Sequence, residues 1–337
     1  MQWAALLSGE HPTLPFAELQ ALLAIHAPAA TATQHGLVAR VEGGAGVADA
    51  FSRAVLLHAW GRHWGTFPDT PEGLDLAAAE VARRCDGKGS LAVESLRAGM
   101  GSSTTVERAL GKAAQAAGHA IDLKQPQRRL FAWLVAGRLE LGELLGTSRR
   151  SAHEGRTSDE RAHFSPIALH PRRAASLLHL ARVKPGGRLY DPFCGTGTFV
   201  LEAAIEGYDA WGSDLDAWMV QGTLTTLADA GPEPLAATVF EADVAHAPKL
   251  VDRVDGIVTD LPYGRASTGH DRELADLYAT AFEVFARLLP KEGRAVVGHA
   301  DPDLVRQASD GRLRLEASFA ERAHRSLTRH FSVFVRD

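Results

Sequence analysis

Apolar and polar positions along the chain change their period several times, and the changes mark out its elements. Gln2–Leu7 reads as a strand, and Thr13 caps a helix with Pro15 in its first turn and Phe16, Leu19 and Leu23 on one face. Gly36–Val41 and Ala54–Trp60 read as further strands, with Val47–Ala54 a short helix between them. Leu76–Arg84 and Thr105–Ala117 carry helical spacing, and Leu91–Ser95 reads as a strand. The alternation on either side of Gly137 predicts a strand pair. This half is an α+β pattern.

Beyond residue 165 the order becomes regular. Arg172–Ala181 predicts a helix, Arg188–Tyr190 the end of a buried strand, and Thr198–Ile205 the next helix. Further strands are predicted at Ala210–Ser213, Val239–Ala242, Gly256–Thr259 and Ala295–Gly298. The helix after Arg272 carries Leu274, Leu277, Ala281, Phe285 and Leu288 as one stripe. Leu313–Ala317 and Phe331–Val335 close the sheet as a hairpin. Alternating strands and helices imply a parallel, doubly wound α/β sheet. Gly146–Ser165 is polar and aperiodic, and reads as an interdomain linker.

Candidate chemistry gathers at the strand ends of this second half. After Tyr190 the chain reads Asp191-Pro192-Phe193-Cys194-Gly195-Thr196-Gly197 before Thr198 opens a helix. Strand, glycine turn and helix form the first unit of a nucleotide-binding sheet, where bare backbone approaches a ligand. The helix N-terminus suits an anion. Val200 stands where a dinucleotide fingerprint needs its third glycine, which disfavours a nicotinamide-dependent oxidoreductase. Asp214 follows Gly195 by 19 residues, close to the spacing at which an acid meets ribose hydroxyls. Asp243, one strand further, is placed for an adenine amine, and Asp191 for an ammonium. Taken singly, each of these acids is equally well a strand-end cap.

Thr259-Asp260-Leu261-Pro262-Tyr263-Gly264 follows the fourth strand. An exocyclic amine is a weak nucleophile because its lone pair is delocalised into the ring. If the Asp260 carboxylate and the Leu261 carbonyl each accept one N–H, the lone pair is aimed at an incoming methyl. Beyond Pro262, Tyr263 is placed to stack on a base removed from its own stack. Such positioning supplies much of a transfer rate.

The pair D-P-F-x-G-x-G-x-F and D-x-P-Y resembles the amino-methyltransferases, which use S-adenosylmethionine to methylate exocyclic amines of nucleobases. The opening SGEHPTLPFAELQALL resembles the small ferredoxin-like domain of THUMP-containing tRNA methyltransferases, and the Lys124–Gln127 turn with its apolar alternation resembles the end of a THUMP domain. With HPRRAASLLHLARV, LYDPFCGTGTFVLEAA and TDLPYGR, nearly the whole chain resembles the tRNA guanine-10 N2-methyltransferases.

The resemblance implies a Rossmann-like methyltransferase sheet at 166–337 and a linker at 146–165. It implies a THUMP RNA-binding domain at 63–145 and a ferredoxin-like domain at 1–62. It also implies S-adenosylmethionine held by Asp191, Phe193, Gly195, Thr196, Gly197, Thr198, Asp214 and Asp243, with Asp260, Leu261, Pro262 and Tyr263 at the reacting amine. The partner is tRNA gripped by the THUMP half, with room for a small activating protein around an otherwise monomeric chain. Guanine 6 of tRNA and adenine N6 are the alternative targets. The family's usual Asp-Pro-Pro-Tyr has Leu261 in its second place here, which motivates a catalytically silent RNA-binding protein as a further alternative. The carbonyl survives that change, and only about 0.4–1 kcal/mol of chain restriction is lost.

Composition modifies the picture in two places. At 337 residues the chain holds two or three domains, with 45% apolar and 23% charged residues. Its net charge of −5 is uneven: residues 1–150 carry 15 Lys and Arg against 14 Asp and Glu, and the remainder 21 against 27. RNA contact therefore falls on local clusters, namely Arg149 and Arg150 in the linker, Arg265, and Arg322, Arg325 and Arg329. His58–Trp64 concentrates aromatic and basic groups, which either stack on unpaired bases or fill a small core.

Cys85 and Cys194 form neither a disulfide framework nor a zinc pattern, and no metal is expected. Phe193 precedes Cys194 where covalent carbon-5 methyltransferases carry proline, so Cys194 reads as a small loop residue. MQWAALLSGEH lacks a basic leader, and no apolar run approaches a membrane span. A cytoplasmic protein away from membranes is expected.

Overall fold

The computed structural model describes residues 1–337 except 86, 88, 98–101, 149, 154–168, 231–234, 264–269 and 325–326. Of residues 150, 151, 270–272, 323 and 324 only the backbone is described. The chain forms two compact units, Met1–Arg149 and Arg150–Asp337.

In the first unit, β1 (Gln2–Leu7) is followed by α1 (Leu14–His26), β2 (Thr31–His35), β3 (Val38–Glu42) and α2 (Gly46–Arg53). Then come β4 (Leu57–Pro68), α3 (Pro71–Arg84), β5 (Ser90–Arg97), α4 (Thr104–Ala116), β6 (Ala120–Ile121), β7 (Arg128–Val135) and β8 (Arg138–Thr147). All eight strands join one sheet, in the order β2-β3-β1-β4-β8-β7-β5-β6. Alternation decides its two faces. Trp3, Ala5 and Leu7 of β1 pack with residues of α1 and α2, and Leu130, Ala132 and Leu134 of β7 with residues of α3 and α4. Ala4 and Leu6 point the other way and meet Phe131, Trp133 and Val135, so this face is buried as well.

Strand β4 runs through the expected division at 62/63, pairing with β1 on one side and β8 on the other. Its aromatics serve the core: Trp60 lies 5.5 Å from Phe51 and 6.2 Å from Trp3, and Trp64 packs against the α3–α4 cluster. Beside them a buried Glu140 accepts from Arg40 at 2.5 Å, Thr66 at 2.7 Å and His63 at 2.8 Å.

The second unit contains α5 (Pro171–Leu180), β9 (Arg188–Asp191), α6 (Thr198–Ile205), β10 (Asp209–Asp214), α7 (Ala217–Asp229) and β11 (Ala237–Glu241). It continues with α8 (Ala247–Leu250), β12 (Gly256–Asp260), α9 (His270–Leu288), β13 (Arg294–His299), α10 (Pro302–Ser309), β14 (Arg314–His324) and β15 (Leu327–Val335). The sheet order is β11-β10-β9-β12-β13-β15-β14. The first five strands are parallel, and β15 enters antiparallel between β13 and β14. Chain order reverses between β9 and β12, which is where a doubly wound sheet opens its ligand crevice. Tyr190, Ile257, Phe282, Phe285 and Phe334 are among the buried residues of its core.

The first residues of the expected linker are ordered. Strand β8 extends to Thr147, and Arg150–His153 forms a 3-10 turn. His153 is buried, with Nδ1 3.1 Å from Glu202 Oε2 of α6. The rest of the expected linker lies outside the described residues.

Candidate active site

The glycine loop is shaped by its own backbone. Gly195 and Gly197 have φ of +51° and +81°, a region that non-glycine residues avoid. A Cβ on Gly195 would meet nothing within 4 Å, whereas one on Gly197 would lie 2.5 Å from Thr223 of α7. Gly195 is thus bare toward open space, and Gly197 is closed against a helix. Thr223 Oγ1 donates to the Gly195 carbonyl at 2.8 Å and fixes the loop from behind.

Asp191, at the tip of β9, is 3% exposed. Its Oδ1 accepts from Thr259 Oγ1 at 2.6 Å and from the Phe193 amide at 3.1 Å. Burial dominates and raises its pKa to about 7, with Asp214 and Asp260 adding to the rise. A cationic ligand group would relieve that cost. Asp191 lines a cavity of about 140 Å³ together with Phe193, Gly195, Thr196, Thr198 and Asp260. An ammonium beside Asp191, with a carboxylate at the α6 N-terminus, suits this cavity.

Asp214 and Asp243 stand apart from that lining. Asp214 braces the loop, accepting from the Gly195 amide at 2.9 Å and the Asp216 amide at 3.0 Å. A carboxylate has further lone pairs, so these bonds leave it capable of accepting hydroxyls. Asp243 is exposed and caps the Val244–His246 turn, accepting from the Ala245 amide at 2.9 Å. Cys194 is buried against Thr223, and burial pushes its thiol well above the ordinary range. Such a thiol is no nucleophile.

At the neighbouring strand tip, Leu261 is 1% exposed and its amide donates to the Gly298 carbonyl at 2.9 Å. That bond extends the β12–β13 ladder by one residue, and proline has no N–H to make it. Tyr278 of α9 donates to the Pro262 carbonyl at 2.9 Å and pins the turn. The Tyr263 hydroxyl donates to Asp260 Oδ1. Burial raises the pKa of Asp260, while Arg329 and the Tyr263 hydroxyl oppose the rise.

Arg329 sits differently from its expected place on an RNA-facing surface. It is 8% exposed, its Nη2 lies 3.8 Å from Asp260 Oδ2, and its Cζ lies 5.3 Å from the centre of the Tyr263 ring. Arg322, by contrast, is exposed near the end of β14. Arg149, Arg265 and Arg325 lie outside the described residues, as does the side chain of Arg150. Sequence reasoning missed Thr223, Thr259 and Gly298. The last two were within reach, since Thr259 adjoins Asp260 and Gly298 ends the next predicted strand.

Comparison with known proteins decides the class. Residues 159–330 match the model of the RMKL-like methyltransferase domain. This chain belongs to that family. It is an S-adenosylmethionine-dependent methyltransferase, and its glycine loop and buried Asp191 fit that cofactor.

Over the full length of both chains it is 29% identical to a tRNA (guanine(10)-N2)-dimethyltransferase of Methanothermobacter thermautotrophicus. It is 31% identical to a tRNA (guanine(6)-N2)-methyltransferase of Thermus thermophilus, over 66% of each. Among solved structures, TrmN from Thermus thermophilus matches with a TM-score of 0.57 and 25% identity over all of both chains. The protein SMU.472, solved with SAH, matches at a TM-score of 0.53 and 16% identity, covering 100% of this chain and 98% of the other.

Proposed function

We propose that this chain transfers methyl groups from S-adenosylmethionine to the exocyclic N2 of guanine 10 in tRNA. The observation that carries the reading is Asp260 at the tip of β12, one strand from Asp191 and lining the same cavity. The full-length match to a guanine-10 dimethyltransferase supports the position and leads us to expect two methyls.

When bound, the cofactor supplies an electrophilic methyl on a sulfonium. Asp191 would hold its ammonium, the loop at Gly195–Gly197 would receive its carboxylate, and Asp214 would accept from its ribose hydroxyls. The base enters flipped, with Tyr263 against its plane. One amine N–H takes the acceptor that the Tyr263 hydroxyl holds on Asp260, and the Leu261 carbonyl takes the other. With both N–H groups held, the nitrogen lone pair is left free for the methyl that a bound cofactor would supply, the C–S electron pair leaving with sulfur. Asp260 removes one proton from the methylated nitrogen and passes it to water. Holding the two reacting atoms in line supplies much of the rate.

We read the first unit as the RNA-gripping half, with a ferredoxin-like part and a THUMP part that share strand β4. The experiment is methylation of an unmodified tRNA transcript with labelled cofactor, followed by nucleoside mapping. Label on N2 of guanine 10 is expected. A second reading, guanine 6, draws support from the likeness to the Thermus guanine-6 methyltransferase and would appear as label at that position. Label on adenine or on a pyrimidine carbon would overturn both.

A further inference from the structure

Arg329 reaches Asp260 from two strands away. In the register of β12, β13 and β15, Asp260 stands opposite Gly298 and Gly298 opposite Phe331. Residues 329 and 331 share a face of β15, so Arg329 projects on the side that carries the Asp260 carboxylate. Gly298 lies between them without a side chain. The guanidinium is buried, 3.8 Å from Asp260 Oδ2 and over the Tyr263 ring at 5.3 Å. A cation inside a folded sheet that touches both members of one motif is poorly placed to grip a phosphate.

We propose that Arg329 is a positioning residue for methyl transfer, holding the Asp260 carboxylate and the Tyr263 ring in the geometry that receives the base amine. The inference rests on the methyltransferase reading of the Asp260 turn and assigns Arg329 to that turn rather than to the RNA surface. A carboxyl group must be ionised to accept both an amine N–H and, later, a proton. Several titratable groups among the described residues interact with Asp260. Tyr263 lies in its own turn, Asp191 on β9, Tyr278 on α9 and Arg329 on β15. Of these only Arg329 carries positive charge. Its planar fork also suits an aromatic face, which an ammonium matches less well.

The test compares wild type with Arg329→Met and Arg329→Lys in the full-length protein. For Arg329→Met, kcat on tRNA is expected to fall at least about tenfold at pH 7, and the acid limb of the pH profile to move up by about one unit. Arg329→Lys keeps the limb near its wild-type position and loses part of kcat. Affinity for S-adenosylhomocysteine, measured by calorimetry, stays within about twofold in both, which excludes a folding defect. Carbon NMR of aspartate-labelled protein, with Asp260→Asn assigning the resonance, follows the same titration without any substrate. An acid limb and an Asp260 resonance unmoved by Arg329→Met would overturn the proposal. So would a loss confined to KM for tRNA, which would return Arg329 to RNA contact. A wild type that titrates as expected but methylates no guanine would overturn the substrate reading alone.

Discussion

Gly298 lies directly opposite Asp260 in the β12–β13 register, and a Cβ on it would stand 2.2 Å from Asp260 Oδ1 and 3.0 Å from its Cγ. The carboxylate occupies the space that a side chain at 298 would take. Gly298→Ala should therefore swing the carboxylate off its line and lower kcat about tenfold or more. Gly298 has no left-handed backbone to strain, so the melting temperature should move only by the few degrees that about 1 kcal/mol represents. Steady-state kinetics beside a thermal melt separates the two effects.

Asp191 gives a pH signature. Its carboxyl is raised from the ordinary 3.8 to about 7 by burial, so between those values the folded protein binds a proton that the unfolded chain releases. Without cofactor, stability should fall as pH rises through that window. Asp191→Asn should flatten the dependence in thermal melts, while weakening S-adenosylhomocysteine about tenfold or more by removing the partner of its ammonium. A variant that binds as tightly as wild type would remove Asp191 from the cofactor site.

Leu261 explains how the turn does without the usual proline. Its amide bonds the Gly298 carbonyl, and its side chain is packed in the core. Leu261→Pro, although it restores the family's usual tetrapeptide, should cost about 1–3 kcal/mol in chemical denaturation by stranding a carbonyl. Leu261→Ala keeps the bond and should cost about 2–5 kcal/mol through the cavity it leaves.

What could be read from the sequence follows the range of the forces involved. Thr198–Ile205 and Gln2–Leu7 occur within the bounds their local pattern predicts, because a glycine turn or an apolar run specifies them unaided. Strand β2, Thr31–His35, escaped because it is almost wholly exposed and presents no apolar alternation. Helix α7 lacks charged residues until Asp229, so no polar face announced it. The strand-tip placement of Asp191 and Asp260 was legible. The partnership of Arg329 with Asp260 was not, since it depends on β15 entering the sheet next to β13.

The central claim is that the Asp260 carboxylate orients the amine that receives the methyl. Single-turnover methylation of unmodified tRNA by Asp260→Ala, with saturating cofactor, tests it most directly. The account predicts a rate lower by at least about a hundredfold with S-adenosylhomocysteine affinity unchanged. Transfer to guanine N2 at the wild-type rate would contradict it.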